Sequence, residues 1–203
     1  MEMDWEQHYR DAHTPWDKGS PAPPLLEWME KHPERIQGRV LVPGVGSGHD
    51  AAALAEATSD TEIVGIDISP TALSQARATY AFDSLDFVEA DLFDLPAQHQ
   101  GSYDWIWEHT CFCAIDMSLR DDYVVAVHQA LRENGQLLAV FYLDPYDEEH
   151  RRGEGPPHGS TIDELQERFV TSGRFRLLES YVPDASYPGR EGLEQVMRFE
   201  RVG

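Results

Sequence analysis

The feature that most constrains the fold is a buried strand that runs directly into three closely spaced glycines and then into a helix. Residues 40–50 read Val-Leu-Val-Pro-Gly-Val-Gly-Ser-Gly-His-Asp. Glycine lets the backbone turn tightly and lets a ligand approach the chain, because no β-carbon stands in the way. The segment therefore predicts a strand–turn–helix unit that receives a ligand at the carboxyl end of its strand.

The rest of the chain alternates strand and helix patterns. The predicted strands are residues 39–42, 62–66, 85–89, 103–107, 136–142, 174–182 and 195–201, and the main predicted helices are 50–57, 69–80, 120–132 and 161–169. Alternation of this kind predicts an α/β fold with a mostly parallel, doubly wound sheet of seven strands and helices on both faces. The last two strands predict a hairpin that adds an antiparallel C-terminal edge.

The 203 residues fit one domain, which we expect to span 1–203. The sheet is predicted to occupy 39–203, preceded by an N-terminal segment, 1–38, that begins with a short helix and covers a cofactor or substrate. A polar loop is expected over 144–159, and the helix 120–132 is expected to be closed by Asn134-Gly135.

Two acidic residues follow predicted strands at positions where a parallel sheet binds ligands. Asp67 ends the second strand, where its carboxylate can accept both hydroxyls of a ribose. The alternative is that Asp67 caps the next helix, a role for which Ser69 competes. Asp91 follows the third strand and can accept from an adenine amino group, with Leu92 or Phe93 covering the ring.

Spacing separates two families of nucleoside-binding loops. A dinucleotide fingerprint, Gly-x-Gly-x-x-Gly, would place glycine at position 49, but His49 stands there and the third glycine is Gly48. Gly-x-Gly-x-Gly is typical of S-adenosylmethionine-dependent methyltransferases. A nucleotide-dependent oxidoreductase is therefore disfavoured, and a non-catalytic nucleoside-binding domain stays open.

Further segments resemble the thiopurine and thiol/halide methyltransferase group. They are Thr-Pro-Trp-Asp-Lys-Gly at 14–19, Val-Pro-Gly at 42–44, Glu-His-Thr-Cys-Phe-Cys-Ala-Ile at 108–115 and Gly-Pro-Pro at 155–157. The resemblance implies a Rossmann-like class I methyltransferase fold and S-adenosylmethionine as cofactor. Together with the glycine and carboxylate motifs, it indicates cofactor contacts from Trp5, Tyr9, Trp16, Gly44, Gly46, Gly48, Asp67, Ile68, Asp91, Leu92 and His109. Trp16 is also a candidate for substrate contact, and Arg151 and Arg152 could bind an anionic substrate or could serve only at the surface of the polar loop.

Aromatic residues before the first strand can also be explained without a ligand. Trp5, Tyr9 and Trp16 could shield a sulfonium cation with their ring faces, or they could simply pack an N-terminal segment onto the domain. Both interpretations are kept at this stage.

Composition excludes several partners. The chain has 37 acidic against 16 basic residues and a formal charge of −21, which argues against nucleic acid and anionic membranes. Only Lys18 and Lys31 are lysines, a bias that suggests a salt-rich cytoplasm. No secretory signal is evident, and we expect a cytoplasmic monomer. Cys111 and Cys113 are too close in sequence for a mutual disulfide within a strand, and a metal site that includes His109 is disfavoured.

The expected activity is in-line transfer of a methyl group to a small soft nucleophile, which is a thiol, hydrogen sulfide or a halide. No general base is obligatory, and His109, Tyr142 and His158 are the candidates if one is used. The alternative acceptors are a larger aromatic thiol of the thiopurine kind or an oxygen or nitrogen atom of a small molecule.

Overall fold

A seven-stranded sheet organises the chain. In the computed structural model, which describes residues 3–33, 35–58, 60–143 and 155–203, the strand order is β3-β2-β1-β4-β5-β7-β6. The strands are β1 Gly38–Pro43, β2 Thr61–Asp67, β3 Leu85–Glu89, β4 Tyr103–His109, β5 Leu131–Tyr142, β6 Phe175–Tyr181 and β7 Glu194–Arg201. The first five are parallel, and β7 runs antiparallel to both β5 and β6. The predicted seven-stranded α/β fold with an antiparallel edge is confirmed.

Helices cover both faces of the sheet. They are α1 Trp5–Arg10, α2 Pro23–Lys31, α3 His49–Ala57, α4 Pro70–Thr79, α5 Arg120–Ala130 and α6 Ile162–Leu165, which continues as a π-helical segment, Gln166–Thr171. Side chains of α2, α3 and α4 join one apolar cluster, and those of α5 and α6 join another on the opposite face. Neighbouring strand residues alternate between these clusters, as Leu41 and Val42 do, because strand side chains point to opposite faces.

The order of the strands reverses between β1 and β4. From β1 the chain builds outward to β3, and it then crosses to β4 and builds in the other direction. The carboxyl ends of β1 and β4 meet there, since a β-carbon on Gly44 would lie 3.2 Å from the Cys111 sulfur. In open α/β sheets, ligands bind at such a switch point.

Two predicted boundaries were wrong. The helix predicted over 120–132 ends at Ala130, and Asn134-Gly135 lies inside β5 rather than at a helix end. A β-carbon on Gly135 would lie 2.9 Å from the carbonyl oxygen of Tyr103, so this close approach of two strands selects glycine. The helix predicted over 161–169 is α-helical for one turn only before it widens. Of the predicted loop 144–159, residues 144–154 lie outside the described residues.

Candidate functional site

Two hydrogen bonds, both donated by backbone N–H groups of the glycine turn, join this turn to the end of β2. The Val45 N–H donates to the Ile66 carbonyl at 2.9 Å, and the Gly46 N–H donates to Asp67 Oδ2 at 2.9 Å. Gly48 has φ +84°, and a β-carbon there would lie 2.8 Å from the Phe87 ring. Glycine is required at this position because α3 starts in close contact with the sheet.

Asp67 is a buried carboxylate whose cap role is excluded. It is 8% exposed, and its Oδ1 accepts the Ser69 N–H at 2.9 Å. Ser69, not Asp67, caps α4, because its hydroxyl oxygen accepts the Ala72 N–H at 3.1 Å. Burial raises the pKa of Asp67, although the N–H groups of Ser69 and Gly46 oppose that shift. Asp67 therefore organises the glycine turn at the carboxyl end of β2.

An aromatic N-terminal cover, residues 5–19, lies over the glycine turn. Tyr9 is 6% exposed, and a β-carbon on Gly46 would lie 2.6 Å from its hydroxyl oxygen. The Trp16 Nε1–H donates to that hydroxyl at 3.3 Å, and the Trp5 ring meets Trp16 edge-on at 5.2 Å. Burial raises the pKa of Tyr9 to about 12, so its hydroxyl stays protonated at neutral pH. The structure thus brings together all three predicted aromatic residues.

Two carboxylates that the sequence interpretation did not single out fasten this cover. Glu6 accepts from the Ser69 hydroxyl at 2.7 Å and from the Thr71 hydroxyl at 2.8 Å. These bonds lower the pKa of Glu6 to about 2. Asp17 accepts from the Ser47 hydroxyl and contacts His49 Nε2 at 3.0 Å. Each carboxylate thereby joins the cover to a loop at the carboxyl ends of the strands.

The three residues that follow β3 and Ala90, which are Asp91, Leu92 and Phe93, differ in how deeply they are buried. Asp91 Oδ1 accepts the Phe93 N–H at 2.9 Å and so caps a short 3₁₀ turn. Leu92 is 7% exposed and packs in the core, whereas Phe93 is 39% and Ile68 is 53% exposed. Of the two residues predicted to cover an adenine ring, Phe93 presents free surface and Leu92 does not; Ile68, a predicted cofactor contact after β2, is also exposed.

His109 ends β4 inside a cluster of charges. Its Nδ1 lies 3.4 Å from Asp50 Oδ2, and its Nε2 lies 3.8 Å from Glu194 Oε1. Arg190 completes the cluster, with Nη1 3.4 Å from His109 Nε2 and 3.3 Å from Glu194 Oε1. Burial opposes protonation of His109, but the two carboxylates outweigh it and raise the pKa of this imidazole to about 9. The two carboxylates thus favour the protonated imidazole, and Arg190 acts against it.

Glu108 shapes the turn that follows β4. This carboxylate is 1% exposed and accepts the N–H groups of Cys111 at 3.0 Å and Phe112 at 2.8 Å, as well as the Tyr123 hydroxyl. Thr110, which lies between Glu108 and Cys111 in the sequence, takes a left-handed conformation with φ +66°. The signal available in the sequence was an acidic residue within an apolar strand, where an unpaired charge would be costly.

The other residues singled out from the sequence lie in different surroundings. The Arg190 guanidinium lies 5.1 Å from the Tyr142 ring centre, which places Tyr142 beside the His109 cluster. Burial and the nearby Arg120 lower the pKa of His158. Arg151 and Arg152 lie outside the described residues. The two cysteines are free, and burial raises the pKa of Cys113 to about 12.

Within residues 3–33, 35–58, 60–143 and 155–203, no group of three or more His, Cys, Asp or Glu side chains is arranged to hold a metal ion. No helix there is long and apolar enough to cross a membrane.

Solved structures define the class of protein first. One chain from a complex of the Haloferax volcanii Trm112 methyltransferase activator with a methyltransferase superposes with a TM-score of 0.73, at 17% identity, covering 99% of this chain and 98% of that one. Another, from work on conversion of a disulfide into a thioacetal during echinomycin biosynthesis, gives a TM-score of 0.69 at 25% identity, covering 92% and 85%. The sheet order, the glycine turn and these neighbours define a class I, S-adenosylmethionine-dependent methyltransferase.

Sequence comparisons then give the family. The model of the thiopurine S-methyltransferase family matches residues 1–201. Thiocyanate methyltransferase 1 of Arabidopsis thaliana is 30% identical over 98% of this chain and 84% of its own length. A thiopurine S-methyltransferase of Vibrio parahaemolyticus is 27% identical over 72% of each chain. The chain belongs to the thiopurine S-methyltransferase family, and the sequence-based identification is confirmed.

Proposed function

We propose that this enzyme transfers the methyl group of S-adenosylmethionine to a small thiol or hydrogen sulfide, with halide as a further soft acceptor. The observation that carries the proposal is the state of His109. Both ring nitrogens of this imidazole are engaged, Nδ1 by Asp50 and Nε2 by Glu194 and Arg190, so neither is free to take a proton from an acceptor. An acceptor that ionises in solvent, or that carries no proton, suits such a site.

The residues at the strand ends fit the cofactor. Asp67 offers a buried carboxylate for the ribose hydroxyls. At Gly44 and Gly46 the place of a β-carbon is taken by Cys111 and by the Tyr9 hydroxyl, so these glycines let the chain itself pack closely around the site. The exposed faces of Ile68 and Phe93 suit an adenine ring, and Asp91 has a second oxygen for its amino group. Gly48 serves helix packing, and Leu92 supports the site from the core.

When bound, S-adenosylmethionine supplies a methyl group already activated on a sulfonium. The work left to this chain is to position the acceptor in line and to exclude water. Tyr9 and Trp16 close the site from above, and their rings can stabilise a cation that lies beneath them. The acceptor is proposed to enter between Trp16, the ends of β4 and β5, and the residues that follow β5, which include Arg151 and Arg152.

The pH dependence of the rate should reveal whether a protein base is used. We expect the rate with a thiol to rise about tenfold per pH unit up to the thiol pKa, near 8.5 for an ordinary thiol. The rate with iodide should stay flat, because iodide carries no proton. Initial rates at saturating cofactor, measured in wild type and in His109→Asn, give both profiles. A thiol plateau that starts at neutral pH and disappears in His109→Asn would make His109 the base.

The assay should stay below pH 8.5 for a reason that lies in the fold. A histidine whose pKa is raised from 6.5 to about 9 on folding stabilises the protein fully below pH 6.5, and this contribution is lost as the pH rises through 9. Rates measured near or above the His109 pKa of about 9 would combine two effects, ionisation of the acceptor and loss of the Asp50–His109–Glu194 contacts.

A panel of acceptors tests the proposed function directly. Methanethiol, hydrogen sulfide, iodide and a thiopurine are incubated with enzyme and S-adenosylmethionine, and the methylated products are measured by gas or liquid chromatography. We expect turnover with methanethiol or sulfide to exceed that with the thiopurine by at least tenfold in kcat/KM. Preference for the thiopurine, the activity in the name of the Vibrio relative, would overturn the small-acceptor proposal.

We also propose that the protein acts in the cytoplasm as a single-domain monomer, in which 39–203 hold the sheet and the start of residues 1–38 covers the site. The apolar clusters include neither Trp5 nor Trp16, whereas Ala22, Leu25 and Trp28 are buried in one of them, so α2 belongs to the core and not to the cover. Because one structural neighbour comes from a complex with an activator, the oligomeric state should be measured by light scattering.

A further inference from the structure

One buried cation has no part in the chemistry proposed above. Arg120, the first residue of α5, is fully buried, and its Nη1 donates to both oxygens of Glu164 at 2.8 and 3.0 Å. Its Nη2 donates to the carbonyl oxygens of His158 at 2.8 Å and Gly159 at 3.1 Å. The guanidinium also lies 4.8 Å above the Phe112 ring. Arg120 thus joins α5, α6 and the loop of residues 155–160.

The loop of residues 155–160 spans the carboxyl ends of two strands. The His158 N–H donates to the Cys113 carbonyl at 2.7 Å, directly after β4. The Ser160 N–H donates to the Tyr142 carbonyl at 3.0 Å, at the end of β5. Since β4 and β5 lie on the opposite side of β1 from β2, which ends at Asp67, the loop lies where an acceptor is proposed to enter.

The Arg120–Glu164 ion pair is better suited to orienting the loop of residues 155–160 than to stabilising the core. A buried ion pair contributes little net stability, and apolar side chains of similar size often do as well. Arginine differs from lysine in holding several N–H donors in one rigid plane, so that two arms can bind different partners in fixed directions. Here one arm is fixed by a carboxylate, and the other arm holds two backbone carbonyls of the loop.

We propose that Arg120 and Glu164 form a clamp that positions the 155–160 loop as the acceptor-side wall of the active site. Arg120 is then a positioning residue that sets acceptor affinity and selectivity and leaves the cofactor site unchanged. This inference rests on the proposed function for its kinetic consequence, but the ordering of the loop by the clamp can be measured without turnover.

Three variants test the clamp. Arg120→Lys keeps the positive charge but removes the planar guanidinium with its two donating arms. Glu164→Gln weakens the ion pair with Arg120 at a partly exposed position, so folding should be preserved. Arg168→Gln is the matched control, because Arg168 also bonds to Glu164, at 3.0 Å, and touches Asp121 instead of the loop. The measurements are the KM for methanethiol and for a thiopurine, the cofactor Kd by calorimetry, and amide hydrogen exchange in residues 155–160.

We expect Arg120→Lys and Glu164→Gln to raise the methanethiol KM at least tenfold, to reduce selectivity against the thiopurine and to speed exchange in the loop. Their cofactor Kd should stay within twofold, and Arg168→Gln should match wild type throughout. A folded variant with unchanged KM and unchanged loop exchange would overturn the clamp. So would a cofactor Kd that rises in parallel with KM, which indicates general destabilisation. If wild type methylates no thiol, the proposed function fails, and the exchange data alone decide whether the clamp orders the loop.

Discussion

Deleting residues 1–18 should lower turnover by about 100-fold or more, the scale expected when reacting groups lose their positioning. The sheet should remain folded, because the apolar clusters that hold it begin at Ala22. Glu6, Tyr9 and Asp17 leave together, and the loops they fasten are then open to water. Steady-state rates and far-UV circular dichroism of the same preparation measure the two effects.

Two point variants test whether the effect of the cover on turnover depends on its hydrogen bonds to the loops or only on its packing. Glu6→Gln and Asp17→Asn keep the shape of the cover and weaken its bonds to Ser69 and Ser47. They should lower turnover less than the deletion does. Wild-type turnover by the deleted protein would rule out a functional cover, and failure of that protein to fold would favour the interpretation that the segment serves packing.

Replacement of Asp67 by Asn should raise the cofactor Kd by about 10- to 150-fold. This range corresponds to the loss of charge-assisted hydrogen bonds worth roughly 1.5–3 kcal/mol. Asn keeps the volume and one acceptor oxygen, so one of the two N–H groups that Asp67 binds, that of Gly46 or that of Ser69, keeps its acceptor and the other faces an amide NH2 group; a moderate loss of stability is expected. Ala would leave both N–H groups without an acceptor, and a larger loss of stability is expected. Calorimetric titration with S-adenosylhomocysteine and thermal melts separate binding from stability.

A charge-matched control is available on α6. Asp163→Asn removes one negative charge at an exposed position away from the strand ends, so it reports any general effect of net charge on a cationic cofactor. Its Kd, measured with S-adenosylmethionine as well as with S-adenosylhomocysteine, should equal that of wild type. A wild-type Kd in Asp67→Asn would show that the carboxylate serves only the glycine turn.

The sequence predicted those structural features that depend on residues close together in the chain. Apolar runs located every strand, and β2 was predicted over 62–66 and observed over Thr61–Asp67. The position of Asp67 at the end of that strand followed from the same pattern. The start of β5 was missed because the contact that selects Gly135 is with Tyr103, far away in the chain.

Pairings between distant residues were beyond the reach of pattern reasoning. His109 was considered as a base from its position, but its charge depends on Asp50 and Glu194, which come from α3 and β7. Arg120 was placed at the start of a helix, and nothing local marks it as buried or as bound to the loop of residues 155–160. Burial and partner together set the charge state of a group, and both are properties of the folded chain.

The positions of Tyr9 and Glu194 have a consequence for the order of assembly. The site is bordered by a residue near the beginning of this sequence and by one in β7, which must insert between β5 and β6 before Glu194 can reach His109. Contacts so remote in sequence form late in folding, since long loops must close before they are gained. A partly folded chain that retains only the β1–β3 half would keep the glycine turn and Asp67 yet lack the His109 cluster. Recovery of activity should therefore trail recovery of secondary structure during refolding, which makes catalysis a reporter of the completed sheet.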